Sequence, residues 1–434
     1  MTVLLKNLVI FVLTLEARLA LWRYAPKIIA ITGSMGKTTT KDAIYAVLSK
    51  ERHVQKSEKS FNSEIGVPLA ILGLENAWRS PTLWLQNLVR GLWLIVRKLK
   101  YPEWLILEVG ADRPGDIRRI ARWLRPHIVV MTGVPEIPVH VEYFRSPDEL
   151  AREKCALVEY MQKNGTLIQN GDDSRMASLC SAYEKQTVTY GLGNRNELYA
   201  SHLSIAYERK MPVGMRFKLN HAGTAIPIAI RGALGRPRAY AALAAYAAAK
   251  IFGVELESVR ESLEAWTPPP GRMRIVPGAR GSTIIDDTYN SSPAAALAAL
   301  DTLKEIKMPE GARRIALLGD MLELGKYAAE AHRNVGTRAA TSADMLITVG
   351  FRSRAAAEAA LDAGASDLHV RQYEQHESRR AGEELRNELR EGDVVLIKGS
   401  QSMRMERAVE ALMAESERAA NLLVRQEPEW LLKT

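Results

Sequence analysis

Cysteine is scarce in this sequence: Cys155 and Cys180 are the only two in 434 residues. Two cysteines cannot build a disulfide framework, which excludes the small secreted scaffolds and fits a reducing cytosol. Long uncharged apolar runs are missing as well. Residues 3–22 are rich in Leu, Val and Ile, but Lys6, Asn7, Glu16 and Arg18 interrupt them. A membrane-spanning helix wants about 20 mostly apolar residues, and no small-residue cleavage site of the signal-peptide kind follows. The remaining reading is an amphipathic helix within residues 1–27. It either packs on the body of the protein or lies on a membrane surface, with Arg18, Arg23 and Lys27 helping. Internal repeats, low-complexity tracts and base-stacking modules are also absent, and no nucleic-acid partner is expected.

What is present is ordinary globular composition, 47% hydrophobic and 25% charged, with a formal net charge of +9. A basic balance suits phosphate-rich ligands, nucleic acid or an anionic membrane, and charge alone does not choose between them. The length predicts two or three domains. Apolar, β-branched runs at 27–32, 104–109, 128–132 and 166–169 alternate with helical patterns, as in a parallel α/β sheet. Residues 197–231 alternate at strand period and predict a small antiparallel annex. An Ala-rich helix at 238–252 follows. Pro268-Pro269-Pro270-Gly271 makes a stiff turn, the best linker in the chain. After it STIIDD, RIALLG, MLITVG and DVVLIK restart the strand–helix alternation. The expected domains are therefore 28–272, a central phosphate-loop unit, and 273–434, a Rossmann-like α/β unit. Residues 76–101 combine Trp78, Trp84 and Trp93 with Arg79, Arg90, Arg97, Lys98 and Lys100. That is the composition of a membrane interface, or of an ordinary helix with a buried aromatic face.

The strongest local signal is Gly33-Ser34-Met35-Gly36-Lys37-Thr38-Thr39-Thr40. It follows a strand and opens a helix, the context in which backbone N–H groups cradle phosphate. In such a loop Lys37 reaches the terminal phosphates and Thr38 offers its hydroxyl to Mg²⁺. The general pattern places a glycine at position 31, where this chain has Ile31, so the loop is shortened. Glu108 ends an apolar strand, where a carboxylate faces the ligand crevice of an open α/β sheet and can supply hard oxygen to Mg²⁺.

The shortened loop resembles that of the Mur ligases of peptidoglycan synthesis. So do Phe61-Asn62-Ser63-Glu64-Ile65-Gly66-Val67-Pro68, Leu107-Glu108-Val109-Gly110-Ala111 and Asp286-Asp287-Thr288-Tyr289-Asn290. Further similar runs are Leu318-Gly319-Asp320-Met321-Leu322-Glu323-Leu324-Gly325, Lys398-Gly399-Ser400 and Met403-Arg404-Met405-Glu406-Arg407. The resemblance spans roughly residues 28–415 and is strongest to the member that adds D-alanyl-D-alanine. It implies a cytoplasmic, ATP-dependent ligase joining a carboxylate, such as a UDP-N-acetylmuramoyl-peptide, to an amino acid or dipeptide through an acyl phosphate. It implies two Mg²⁺ sites, with Thr38 and Glu108 at one and His140 and a CO₂-derived carbamate on Lys154 at the other. Gly33, Ser34, Gly36, Lys37, Thr38, Thr39, Arg272, Asp287, Tyr289 and Asn290 would hold the nucleotide. Asn62, Asp320, Glu323, Lys398 and Ser400 would face the substrates, in a protein acting as a monomer.

Two departures stand out. The family usually reads Gly-x-His-Asn-x-x-Asn where this chain has Gly235-Arg236-Pro237-Arg238-Ala239-Tyr240-Ala241, which puts adenine selection on other groups. The residues before Gly33 are too few for the family's uridine-nucleotide domain, which points to another mode of acceptor binding, for example a lipid-linked acceptor near the inner face of a membrane. Three alternatives stand beside the main reading: a ligase-inactive nucleotide-binding scaffold, a polyglutamate-type ligase, and a general phosphate-loop ATPase.

Overall fold

The computed structural model describes residues 3–432 except 59, 79 and 98; Arg79 and Lys98 of the Trp-rich segment thus lie outside the described residues. The first sheet has nine strands: β1 (Lys27–Thr32), β2 (Val54–Lys56), β3 (Trp104–Glu108), β4 (Ile128–Met131), β5 (Thr166–Asn170), β6 (Gln186–Gly191), β7 (Leu198–Glu208), β8 (Met211–His221) and β9 (Thr224–Arg231). Their order is β2-β3-β1-β4-β5-β6-β7-β8-β9. Pairing is parallel from β2 through β7 and antiparallel from β7 through β9. The expected annex is therefore a continuation of the main sheet.

The central strands are apolar on both faces because helices cover both. The helices of this half are α1 (Val3–Tyr24), α2 (Lys37–Leu48), α3 (Gly66–Leu72), α4 (Pro81–Val96), α5 (Asp116–Leu124), α6 (Pro147–Glu159), α7 (Ser174–Ser181), α8 (Pro237–Ile251) and α9 (Leu256–Ala265). Along β1, Ile28 and Ala30 point into a core shared with α1 and α3 to α7. Ile29 and Ile31 point the opposite way, into a core built with α2, α8 and α9. The strand period of two thus feeds two layers. Cys155 on α6 and Cys180 on α7 are buried free thiols, hydrogen-bonded to each other with sulfurs 3.2 Å apart.

The second sheet comprises β10 (Arg274–Pro277), β11 (Thr283–Asp287), β12 (Arg314–Gly319), β13 (Met345–Val349), β14 (Val370–Tyr373) and β15 (Val394–Lys398), in the order β10-β11-β15-β12-β13-β14. Only β10 is antiparallel to its neighbour. One face carries α10 (Pro293–Glu305), α11 (Ala328–Ala340) and α12 (Arg354–Asp362). The other carries α13 (Ser378–Glu388) and α14 (Glu406–Leu412). Met215 of β8 joins the first of these cores, with Leu203, Ile205 and Tyr207 of β7 packed against it. The antiparallel strands are thus the surface on which the second sheet's helices dock.

Helix α1 differs from the amphipathic expectation. Val9, Leu13, Ala17 and Ala20 are buried against the body, yet Leu8, Phe11, Leu15, Leu19 and Trp22 are exposed on the other side. No helix among the described residues is long and apolar enough to cross a membrane.

Candidate active site

The phosphate loop leaves the end of β1 between β3 and β4, at the carboxyl edge where open α/β sheets bind ligands. Two glycines make the turn. Gly33 sits at φ 140°, where an added Cβ would lie 2.0 Å from Thr132 Oγ1. Gly36 sits at φ 78° and caps α2, so the first N–H groups of that helix open toward the loop. Thr132 Oγ1 donates to the Met35 carbonyl at 2.6 Å and fixes the loop's far side. Lys37 Nζ folds onto the Gly33 carbonyl at 2.8 Å. Burial lowers the Lys37 pKa, with Glu108 opposing and Arg272 reinforcing the shift.

Thr38, in the first turn of α2, donates from Oγ1 to Glu108 Oε2 at 3.1 Å and lies 3.0 Å from Ser60 Oγ. Glu108 is buried at the end of β3. Three oxygen-bearing side chains therefore converge beside the phosphate loop. The set fits Mg²⁺, a hard cation that takes one or two carboxylates and completes its shell with phosphate oxygens and water. No group of three or more His, Cys, Asp or Glu among the described residues forms a self-sufficient metal cage.

His140 precedes a short 3₁₀ turn and adopts φ 66°. Its Nδ1 lies 2.8 Å from Glu323 Oε2, near in distance but off hydrogen-bonding geometry, and its Nε2 is 3.7 Å from Asp112 Oδ1. Glu323 belongs to the loop after β12, so this contact joins the two halves of the chain. Interaction with His140 pulls the Glu323 pKa down. Lys154 on α6 is buried, and its pKa falls to about 7, first through burial and second through the Lys37 charge. Asp112 pulls the other way at both Lys37 and Lys154, so its charge is felt by the two lysines and it also faces His140. Sequence reasoning missed Asp112 and Ser60. The first is signalled only by lying four residues after Glu108, the second by nothing in the local pattern.

The linker between α9 and β10 supplies Arg272. Its Nη2 donates to Thr38 Oγ1 at 3.1 Å, and its guanidinium stacks on Tyr289 at 3.8 Å from the ring centre. The loop behind it is held by Asp286, which accepts from Gly271 N at 3.0 Å and Thr288 Oγ1 at 2.6 Å. A buried set of charges backs the same loop: Glu406 binds Arg404 and Arg425, and Arg425 donates to the Thr288 and Tyr289 carbonyls. Lys398 bridges Asp287 Oδ2 at 2.6 Å and the Asn290 carbonyl at 2.8 Å. Ser400 Oγ accepts from Leu322 N at 2.9 Å, and Asp320 Oδ1 accepts from Ser353 N at 2.7 Å. In this arrangement Asp320, Lys398 and Ser400 tie loops together, whereas the half-exposed Glu323 faces the cleft. The Asn62 backbone carbonyl accepts from Gly110 N at 2.8 Å, which sets its side chain beside Gly110.

Arg238 is the largest addition to the expected set. It stands in the altered segment at 235–241, yet it is buried beside the phosphate loop, donating from Nη2 to Thr39 Oγ1 at 3.3 Å and to the Arg272 carbonyl at 3.2 Å. Burial lowers its pKa to about 10. Arg238 Nε and Nη1, Arg272 Nε and Ser34 Oγ are all buried without partners. Buried donors without acceptors are costly, and four around one loop fit an anionic phosphate chain. Arg238→Met should therefore leave thermal stability equal or higher, since an apolar isostere removes a buried charge, while weakening ATP about tenfold, near 1.4 kcal/mol. Calorimetric titration beside a melting curve reads both; unchanged ATP affinity would make Arg238 purely structural.

The Mur ligase middle domain matches residues 31–249, and the Mur ligase glutamate ligase domain matches residues 271–401. The UDP-N-acetylmuramoyl-tripeptide–D-alanyl-D-alanine ligase of Bacillus subtilis (strain 168) is 29% identical over 400 residues, covering 92% of this chain and 78% of that protein. The ligase of the same name from Mycobacterium tuberculosis (strain ATCC 25618 / H37Rv) is 32% identical over 408 residues, covering 89% and 73%. Among solved structures, MurF ligase from Thermotoga maritima in complex with ADP has a TM-score of 0.75 at 22% identity, over 94% of this chain and 84% of that one. Folylpolyglutamate synthase of Mycobacterium tuberculosis, complexed with ADP and AMPPCP, has a TM-score of 0.63 at 16% identity, covering 94% of each chain.

Proposed function

Since the chain belongs to the Mur ligase family, we propose that it is an ATP-dependent, ADP-forming ligase that adds D-alanyl-D-alanine to a UDP-N-acetylmuramoyl-tripeptide or a closely related cell-wall precursor. The observation that carries this reading is the convergence of Lys37, Thr38, Glu108 and Arg272 at one strand edge. Similarity to the D-alanyl-D-alanine-adding relatives supports the choice of substrates.

In this reading the loop N–H groups, Lys37 and Arg272 hold the ATP phosphates, and Arg238 supports the loop from behind. The substrate carboxylate attacks the γ-phosphorus and ADP leaves, giving an acyl phosphate. The dipeptide amine then attacks the acyl carbon, phosphate departs, and the amine proton is released. Thr38 and Glu108 would hold one Mg²⁺, and His140 with a carbamylated Lys154 would hold a second; when bound, the cations would neutralise charge at the transferring oxygens. Carbamylation requires a neutral amine, and a Lys154 pKa of about 7 provides it at cytoplasmic pH. The Arg272–Tyr289 pair joins the linker to the second unit over the site, where it can exclude water from the acyl phosphate. We assign the working units to residues 28–272 and 273–434, the active species to a single chain, and its place to the cytoplasm at the inner face of the membrane.

The test is phosphate release by purified protein with ATP, Mg²⁺ and bicarbonate, with products followed by mass. Release that requires both UDP-N-acetylmuramoyl-tripeptide and D-alanyl-D-alanine, with a new amide product, is the expected result. ATP binding without product would overturn the substrate assignment, and absence of ATP binding would favour a ligase-inactive scaffold.

A further inference from the structure

Helices α1 and α4 lie together on the outside of the first core. They touch where Glu16 meets Gly91, since an added Cβ on Gly91 would lie 2.2 Å from Glu16 Oε2. Their C-terminal ends are tied as well: Tyr24 Oη donates to the Leu94 carbonyl at 2.7 Å and accepts from Leu99 N at 3.2 Å. A helix apolar around its whole circumference belongs in a core or in lipid. These two are apolar on the side facing the protein and apolar again on the side facing away. Phe11 is 67% exposed, Trp22 81%, Leu85 64% and Val96 65%, and Leu8, Leu15, Val89, Leu92 and Trp93 are exposed with them. Such a patch exceeds the scattered exposure normal for a surface.

Charge identifies the occupant. Residues 3–24 contain one carboxylate, Glu16, and it is buried; residues 81–97 contain none. The exposed charges on the pair are Lys6, Arg18, Arg23, Arg90 and Arg97, all cationic. Trp22 and Trp93, with flanking arginines, have the composition of a lipid–water interface. Beside α4 runs an open groove of about 520 Å³, lined by Leu72, Leu74, Val89, Trp93 and Leu99 with Arg90 on its wall. It combines an apolar bed with a cation, as an acyl chain joined to an anionic headgroup requires. A second copy docked on the same face would set these cations against one another.

We infer that α1 and α4 together form a surface that binds anionic lipid bilayers, lying in the interface plane without crossing it. The inference uses no residue of the catalytic cleft and stands apart from the ligase reading.

Flotation of the full chain with vesicles tests it. Co-flotation with phosphatidylglycerol-containing vesicles at low salt, weakening as salt rises and at least tenfold poorer with pure phosphatidylcholine, is expected, because each cation near an anionic surface adds roughly fivefold to binding. Trp fluorescence of the unaltered protein should shift to the blue on adding the anionic vesicles. The double substitution Phe11→Glu and Trp22→Glu changes only exposed side chains and should cut the bound fraction at least tenfold, with ATP-dependent activity retained as the check on folding. No binding to anionic vesicles at low salt would overturn the proposal. So would binding that ignores both substitutions, or a dimer that the substitutions dissolve.

Discussion

Lys154→Ala should lower amide formation roughly thousandfold, a barrier increase of about 4 kcal/mol, while changing ATP affinity far less. The amine is buried and its pKa is lowered to about 7, which in the proposed mechanism leaves it neutral for CO₂ and poorly suited to act as a fixed cation. Protein supplied with ¹³C-bicarbonate should show a carbamate carbon resonance that Lys154→Ala lacks. Turnover should also fall in CO₂-depleted buffer. The same shift has a stability signature. Between about pH 7 and the ordinary lysine value near 10.4, the unfolded chain binds a proton that the folded chain does not. Stability linked to this residue therefore rises with pH across that window, and below about pH 7 the full burial cost is present. Denaturant unfolding at pH 7 and pH 9, compared with Lys154→Met, reads it: the substitution should flatten the difference. Wild-type turnover in Lys154→Ala would reduce Lys154 to a buried structural amine.

Glu108→Gln should be nearly as damaging, again roughly thousandfold in turnover. The amide keeps the shape of the side chain and can still accept from Thr38, so the fold and the phosphate loop should survive. What disappears is the negative charge at the end of β3, which Lys37 also senses. The Mg²⁺ concentration needed for half-maximal activity should rise with the loss of that charge. A Mg²⁺ titration with product detection by mass separates this from a folding defect. Unchanged Mg²⁺ dependence would remove Glu108 from the cation site.

The parts of the site legible from sequence were those carried by one strand and the turn after it. Gly33 to Thr39 and Glu108 are read directly, because apolar runs fix the strands and the sheet brings their carboxyl ends together. Groups contributed by distant loops were not legible. Ser60 reaches Thr38 only through the path taken by residues 57–65, and Asp112 matters because an exposed loop turns it toward His140. Arg238 was visible as a departure, but its place behind the phosphate loop depends on how α8 packs on α2. The same limit governed the fold. Short strands such as β2, β10 and β14 lack enough alternation to be seen, and the apparent annex joins the main sheet through the β6–β7 pairing. For α1, composition gave a helix, but only the packed structure shows that one apolar side is covered and the other is not.

The strand order also bears on how the chain emerges from the ribosome. The phosphate loop follows β1, which precedes both of its neighbours in the chain, yet β1 is an interior strand flanked by β3 and β4. Its second neighbour is complete only when Met131 has been synthesised. At about 5–20 residues per second, the nascent chain carries an unpaired apolar strand and the helix α1 for several seconds or more. A hydrophobic segment waiting that long at the exit tunnel is a natural client for chaperones that bind nascent chains, and shuffling β1 to a later position in a permuted gene would shorten the wait.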